Sequence, residues 1–177
     1  MAIYSVCETT NMACVHYAER IWDAVATDFD VENGMIGYLD GLADNETHTY
    51  NFVKGAKEGA ILTLAHNPEW QEDTSNRLNQ RKDKFFIPMG VKFRAFTLKE
   101  GDEFALSAEG FTSAPEIGKF VTVNANGKLD VVDAAPSDAV MVGKIMRKRQ
   151  VGSTLVTGVR TYGYARMMYT VKVESLA

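Results

Sequence analysis

His66 is the residue in this chain whose type and neighbours come closest to a chemical site. It ends the apolar run Gly59–His66, and Asn67, Pro68 and Glu69 follow it. A histidine with a carboxylate in reach is the usual pair for general acid–base work. The other parts of such a site do not appear. No Gly-x-Ser-x-Gly turn offers a nucleophile, and His16 and His48 lie at spacings unrelated to a metal pair. A histidine that closes a strand before a proline loop reads as a hydrogen-bonding surface residue. The acidic pairs Glu72/Asp73 and Asp102/Glu103 are adjacent in sequence, so on a strand each pair points to opposite faces. Both lie in or beside turn signals and read as solvated charge. The glycines Gly152, Gly158 and Gly163 match no phosphate-cradling loop and read as bends. The expectation is no enzyme, with no catalytic residue, metal or cofactor.

Two basic stretches and one long loop fit binding better than catalysis. Arg160, Tyr162, Tyr164 and Arg166 recur at every second position, which puts them on one side of an extended segment. Interleaved rings and guanidinium groups suit a single-stranded nucleic acid, where rings stack on bases and cations meet phosphates. They suit a protein interface equally, since tyrosine and arginine are enriched there. In the second cluster, an extended chain puts Arg147 and Arg149 on one face and Lys144 and Lys148 on the other. The loop runs from Gln71 to Lys84 behind Trp70, and it carries Arg77 and Arg81. A large aromatic opening a polar loop is a place where binding function concentrates. The candidate partner-binding residues are therefore Trp70, Arg77, Arg81, Arg160, Tyr162 and Tyr164.

The elements that would carry these residues are β-strands. Thr47–Val53 alternates as a half-buried strand, and Val91–Leu98 alternates beyond the break at Pro88 and Gly90. The tight reversal Lys99–Asp102 leads into Glu103–Ser107 as a hairpin. Asn126-Gly127 between Lys119–Val123 and Lys128–Val132 is the strongest hairpin signal in the chain. Ala139–Met146 and Met167–Val173 read as later strands. Residues 14–29 fit two patterns: a helix with Val15, Ala18, Trp22, Val25 and Phe29 on one stripe, or a strand through Arg20–Thr27, slightly preferred. These signals predict a mainly β fold, a sandwich or barrel of about eight short antiparallel strands with an N-terminal arm and long loops. Residues 1–30 read as the arm or first element and residues 31–177 as the main β-rich domain.

Bulk properties narrow the setting. The chain has 177 residues, 46% apolar and 24% charged, enough for a sizeable core. A formal net charge of -4 argues against a nucleic-acid coat as the main role. Cys7 and Cys14 read as free thiols in a reducing compartment, because a bridge between them would close only a small loop. Met1–Cys7 lacks the basic start and apolar run of a secretory signal, and no apolar stretch reaches the ~20 residues of a membrane span. Synthesis in a cytoplasm and no membrane contact are the expectations.

In their order along the chain, several phrases resemble the head-decoration, or capsid-stabilising, proteins of tailed bacteriophages that infect Gram-positive hosts. They are Val31–Leu39, Ala60–Glu69, Phe93–Leu106, Ile117–Val121 with Gly127–Leu129, and Val142–Ile145. Together they span roughly residues 31–145, while the stretch before Val31 matches least. The resemblance implies a non-catalytic virion protein on the outside of an icosahedral head. It implies binding to the major capsid protein, often as a homotrimer, that stabilises contacts between capsid subunits. The alternative from the residues themselves is a single-stranded nucleic-acid-binding β-barrel.

Overall fold

A computed structural model describes residues 3–17, 20–69, 82–152, 154–157, 160–163 and 165–177, with Tyr17, 154–157 and 160–163 described by their backbone only. The chain runs through β1 (Cys7–Asn11), a one-turn helix α1 (Ala13–Tyr17), β2 (Ile21–Val25), β3 (Ile36–Leu42), β4 (Thr49–Lys54), β5 (Leu62–His66) and β6 (Lys92–Thr97). It continues as β7 (Glu103–Ser107), β8 (Phe120–Val123), β9 (Leu129–Val132), β10 (Met141–Val151), β11 (Thr154–Thr157), β12 (Arg160–Gly163) and β13 (Arg166–Leu176). Strands β2-β4-β3-β5-β6 close into a barrel, and β1-β7-β13-β10-β8-β9 form a six-stranded antiparallel sheet. The mainly β expectation holds, with a closed barrel beside a second sheet, and the expected antiparallel pairing is corrected at β2 and β4, which run parallel. Among the described residues the two sheets hold eleven strands, and the β11–β12 pair adds a ribbon, so the expected count of about eight is approximate.

Two cores explain why the sequence alternates in some strands and not in others. Inside the barrel lie Ala24, Val31, Met35, Phe52, Ala65, Phe85, Ile87, Phe93 and Ala95. Between barrel and sheet lie Ile36, Leu62, Leu64, Phe96 and Leu98 from the barrel wall, meeting Phe104, Leu106, Val121, Ile145, Val171 and Val173 from the sheet. Strand β5 is therefore buried on both faces over Leu62–Ala65, where the one polar residue, Thr63, donates its hydroxyl to the Gly37 carbonyl at 3.3 Å. Each fully buried Leu or Ile in that layer contributes about 1.5–3 kcal/mol.

The first thirty residues serve both halves. β1 pairs with β7 at the edge of the sheet, and β2 pairs with β4 and β6 in the barrel. Both readings of residues 14–29 are realised in part, with a helical turn to Tyr17 and then a strand from Ile21. Arg20 takes a φ of 61° where the chain turns into β2, and its carbonyl accepts from the Thr97 amide at 3.2 Å and hydroxyl at 2.8 Å.

The Asn126-Gly127 hairpin forms as its sequence dictates. Asn124 Oδ1 accepts from the amides of Asn126 (2.8 Å) and Lys128 (3.1 Å), and Gly127 takes a φ of +74°. The tip then docks on the barrel, because the Ile36 amide donates to the Gly127 carbonyl at 2.8 Å. A Cβ on Gly127 would sit 2.5 Å from the Ile36 carbonyl oxygen, so glycine meets both the turn and the approach.

Strand β10 is longer than its apolar part suggests. It continues through Lys144–Gln150 because β13 pairs with it as far as Val151↔Arg166. The register shifts between Ile145 and Arg147, a bulge at Met146. That shift corrects the face assignment made from a plain extended chain. Lys144, Arg147 and Arg149 oppose Lys172, Thr170 and Met168, alternate residues of β13, so all three share the outer face. Lys148 goes to the other side, with its ammonium 5.5 Å from the Tyr169 ring centroid.

Candidate interaction surface at the root of the ribbon

The residues that flank the two segments singled out for binding meet at one place. Residues 70–81 are bounded by Glu69 and Lys82, whose side chains pair at 3.0 Å. Asp83 follows in the 3-10 turn Lys82–Lys84 and is buried. Its carboxylate meets the Arg166 guanidinium at 3.3 Å, with side-chain exposures of 1% and 8%. Arg166 is where the ribbon rejoins the sheet, opposite Val151. Its guanidinium also donates to Ser107 Oγ at 3.4 Å and lies 4.0 Å from Glu109.

The N-terminal segment locks this junction. The Tyr4 amide donates to the Asp83 carbonyl at 2.9 Å, and the Val6 amide donates to Ser107 Oγ at 3.0 Å. Nearby, the Ser5 amide donates to Glu32 at 3.0 Å, and Lys128 pairs with Glu32 at 3.2 Å while donating to the Glu109 carbonyl at 3.1 Å. Barrel residue positions (Glu32, Asp83) and sheet residue positions (Lys128, Glu109, Arg166) are thereby joined by charge-assisted contacts. Such pairs fix geometry more than they add stability, since desolvation offsets much of their attraction.

Strands β11 and β12 pair with each other as a separate two-stranded ribbon. The partner numbering set by Arg147↔Thr170 and Val151↔Arg166 continues unchanged through Thr154↔Gly163 to Thr157↔Arg160. Within it Arg160 is the register partner of Thr157, and Tyr162 of Leu155. Each strand of the ribbon has four paired residues, on the order of 13 Å at the usual strand rise.

Of the six candidate contact residues, Trp70, Arg77, Arg81 and Tyr164 lie outside the described residues. Arg160 and Tyr162 lie on β12, where only the backbone is described. Arg166, read with them as part of one basic–aromatic face, is corrected. It is only 9% exposed, because its charge is taken inward by Asp83.

The candidate chemistry is used structurally. His66 is half-buried at the end of β5, edge-on to Phe96 with ring centroids 5.8 Å apart. Burial lowers its pKa, against which Glu69 and a hydrogen bond to the Cys7 backbone carbonyl act in the raising direction. Asp102 is not solvated as expected. It is buried, and its two carboxylate oxygens accept from the amides of Ala13 and Lys99, each at 2.8 Å. It thus satisfies the start of α1 and closes the Lys99–Asp102 turn. Glu72 and Asp73 lie outside the described residues.

Cys7 and Cys14 are free and buried. Burial pushes the Cys14 thiol up to about 11, and Asp102 adds to the rise; burial raises Cys7 further still. Both thiols are therefore protonated and poor nucleophiles at neutral pH. Among the described residues, no three His, Cys, Asp or Glu side chains are placed to hold a metal ion, and no helix is long and apolar enough to cross a membrane.

Asp83 and Arg166 were invisible to pattern reading because their partnership is wholly tertiary. Asp83 sits in a Lys-Asp-Lys run that reads as solvent-facing, and Arg166 falls in the alternation of the ribbon. Comparison with protein-family models, with curated proteins and with solved structures finds no match for this chain.

Proposed function

We propose that this chain is a phage capsid decoration protein that binds the outer surface of an icosahedral head and stabilises contacts between major capsid subunits. The observation that carries the reading is the shared root. The 70–81 segment and the β11–β12 ribbon are anchored to one rigid scaffold by Glu69–Lys82 and Asp83–Arg166. A β11–β12 ribbon rooted beside the ends of the 70–81 segment suits a clamp between neighbouring subunits. The order of strand phrases from Val31 to Ile145 supplies the choice of partner.

Such a protein acts by linkage. It binds the assembled shell and not the free subunit, so its binding free energy falls on the assembled side of the equilibrium. A homotrimer would engage several subunits at once and gain avidity from linked contacts. The test mixes purified protein with expanded shells and with unassembled capsid subunits, then sediments both. Saturating binding to shells at a fixed ratio, with none to free subunits, is the expected result. Equal partition into both fractions would refute the proposal.

A further inference from the structure

The barrel closes on itself, and closure removes strand edges. The six-stranded sheet does not, and among the described residues one stretch of its β10 strand has no neighbour on one side. β8 pairs with β10 only at Val142–Lys144, and the last bonds on that side are the Ile145 amide to the Lys119 carbonyl (2.9 Å) and the Gly118 amide to the Ile145 carbonyl (2.8 Å). The bulge at Met146 follows. From Met146 to Val151 β10 is paired only with β13 among the described residues, so every second residue turns its N–H and C=O outward.

This edge has a definite character. Arg147-Lys148-Arg149 gives it three consecutive cations in a chain of net charge -4. Arg149 already pairs with Glu8 and Lys148 lies against Tyr169, while Arg147 is exposed. At the near end are two exposed apolar side chains, Ile117 at 62% and Met146 at 48% relative exposure. They are the chain neighbours of the Gly118–Ile145 hydrogen bond, which brings the two segments together.

We infer that the Met146–Val151 edge of β10 accepts an extended acidic segment of a partner protein as an added strand, with an apolar residue of that segment on Ile117 and Met146. Main-chain bonds supply affinity in this mode, and side chains supply selection. A second copy of the chain pairing antiparallel about Lys148 is disfavoured by charge. Antiparallel self-pairing about Lys148 would set Arg147 against Arg149 and lysine against lysine, and like charges directly opposite destabilise a sheet. The same cations that disfavour this self-pairing attract carboxylates, and a row of backbone donors and acceptors matches a strand better than a phosphate chain. The inference rests on the shell-binding reading only for who owns the acidic segment.

The test uses the intact protein and two capped peptides, Leu-Glu-Val-Glu-Thr-Glu-Val and its counterpart with lysine at each glutamate, alongside oligothymidylate. Binding is followed by backbone amide shifts. The acidic peptide should shift amides of residues 146–151, weaken with salt, and bind at least about tenfold tighter than the lysine peptide. Arg147→Glu with Lys148→Glu should reverse that preference, while Gln150→Pro, which removes one backbone donor, should weaken both peptides. Equal binding of the two peptides, shifts confined to another surface, or tighter binding of oligothymidylate at this edge would each overturn the inference. Shell sedimentation separates the two claims. Charge-reversed protein that binds shells as well as the parent sinks the edge alone. Parent protein that ignores shells but takes the acidic peptide sinks the capsid reading alone.

Discussion

The Arg166 guanidinium meets the Asp83 carboxylate at 3.3 Å with both side chains almost wholly buried, and this contact ties the return of the 70–81 segment to the foot of the ribbon. Removing one partner leaves a charge in a site closed to water. Arg166→Ala should lower unfolding stability by about 3–5 kcal/mol, read from urea midpoints at constant slope. Arg166→Met combined with Asp83→Leu should recover part of that loss. A single variant that costs under ~1 kcal/mol would mean the pair does not hold the junction.

His66 gives the fold a pH dependence whose sign follows from its burial. Its folded pKa lies below the ordinary value of about 6.5, so the unfolded chain takes up the proton first as pH falls. The stabilisation is complete above the unfolded value and is lost as pH drops through the folded one. Urea unfolding from pH 7 to pH 5 should show declining stability, and His66→Gln should flatten that decline. An unchanged slope in the variant would assign the dependence to other groups.

Gly34 takes a φ of +88°, and a Cβ there would lie 2.1 Å from Leu106 Cδ2 in the layer between barrel and sheet. Gly34→Ala therefore combines an unfavourable backbone with a clash against a fully buried leucine. A loss of about 1–3 kcal/mol or more is expected in denaturant unfolding. Gly41→Ala provides the contrast, with a φ of +71° and nothing within 4 Å of the added Cβ, so it should carry the backbone cost alone.

Among the described residues the amides of β11 and β12 are paired only with each other. A lone two-stranded ribbon is marginal in water. In the free protein, Leu155 and Val156 amides should exchange far faster than Val171, which lies between β10 and β7. Shell binding should slow exchange in the ribbon. Protection that is high before binding and unchanged after it would remove the ribbon from the contact surface.

What the sequence revealed depended on whether the cause was local. The Asn126-Gly127 hairpin was legible because two adjacent residues set its backbone, and the structure places strands on either side of it. Strand β10 was read as Ala139–Met146, with the basic cluster after it placed on a plain extended chain. Its continuation to Val151 depends on β13, some twenty residues later, and on a bulge that no alternation pattern displays. Asp102 and Arg166 were misread for the same reason. A charged side chain carries no mark of the amides or carboxylate that will bury it. The run Gly59–His66 was legible as apolar, but its burial between the barrel interior on one side and the sheet on the other was not.

The central claim concerns what the assembled shell gains, and calorimetry of expanded shells with and without saturating protein measures that directly. Binding confined to the assembled state predicts a shell melting transition that moves up as protein is added and levels off at the binding ratio seen by sedimentation. Protein lacking residues 72–80 or 154–163, which keeps the Asp83–Arg166 pair, should give a smaller rise. A transition that stays put at saturation, or moves down, would contradict the account.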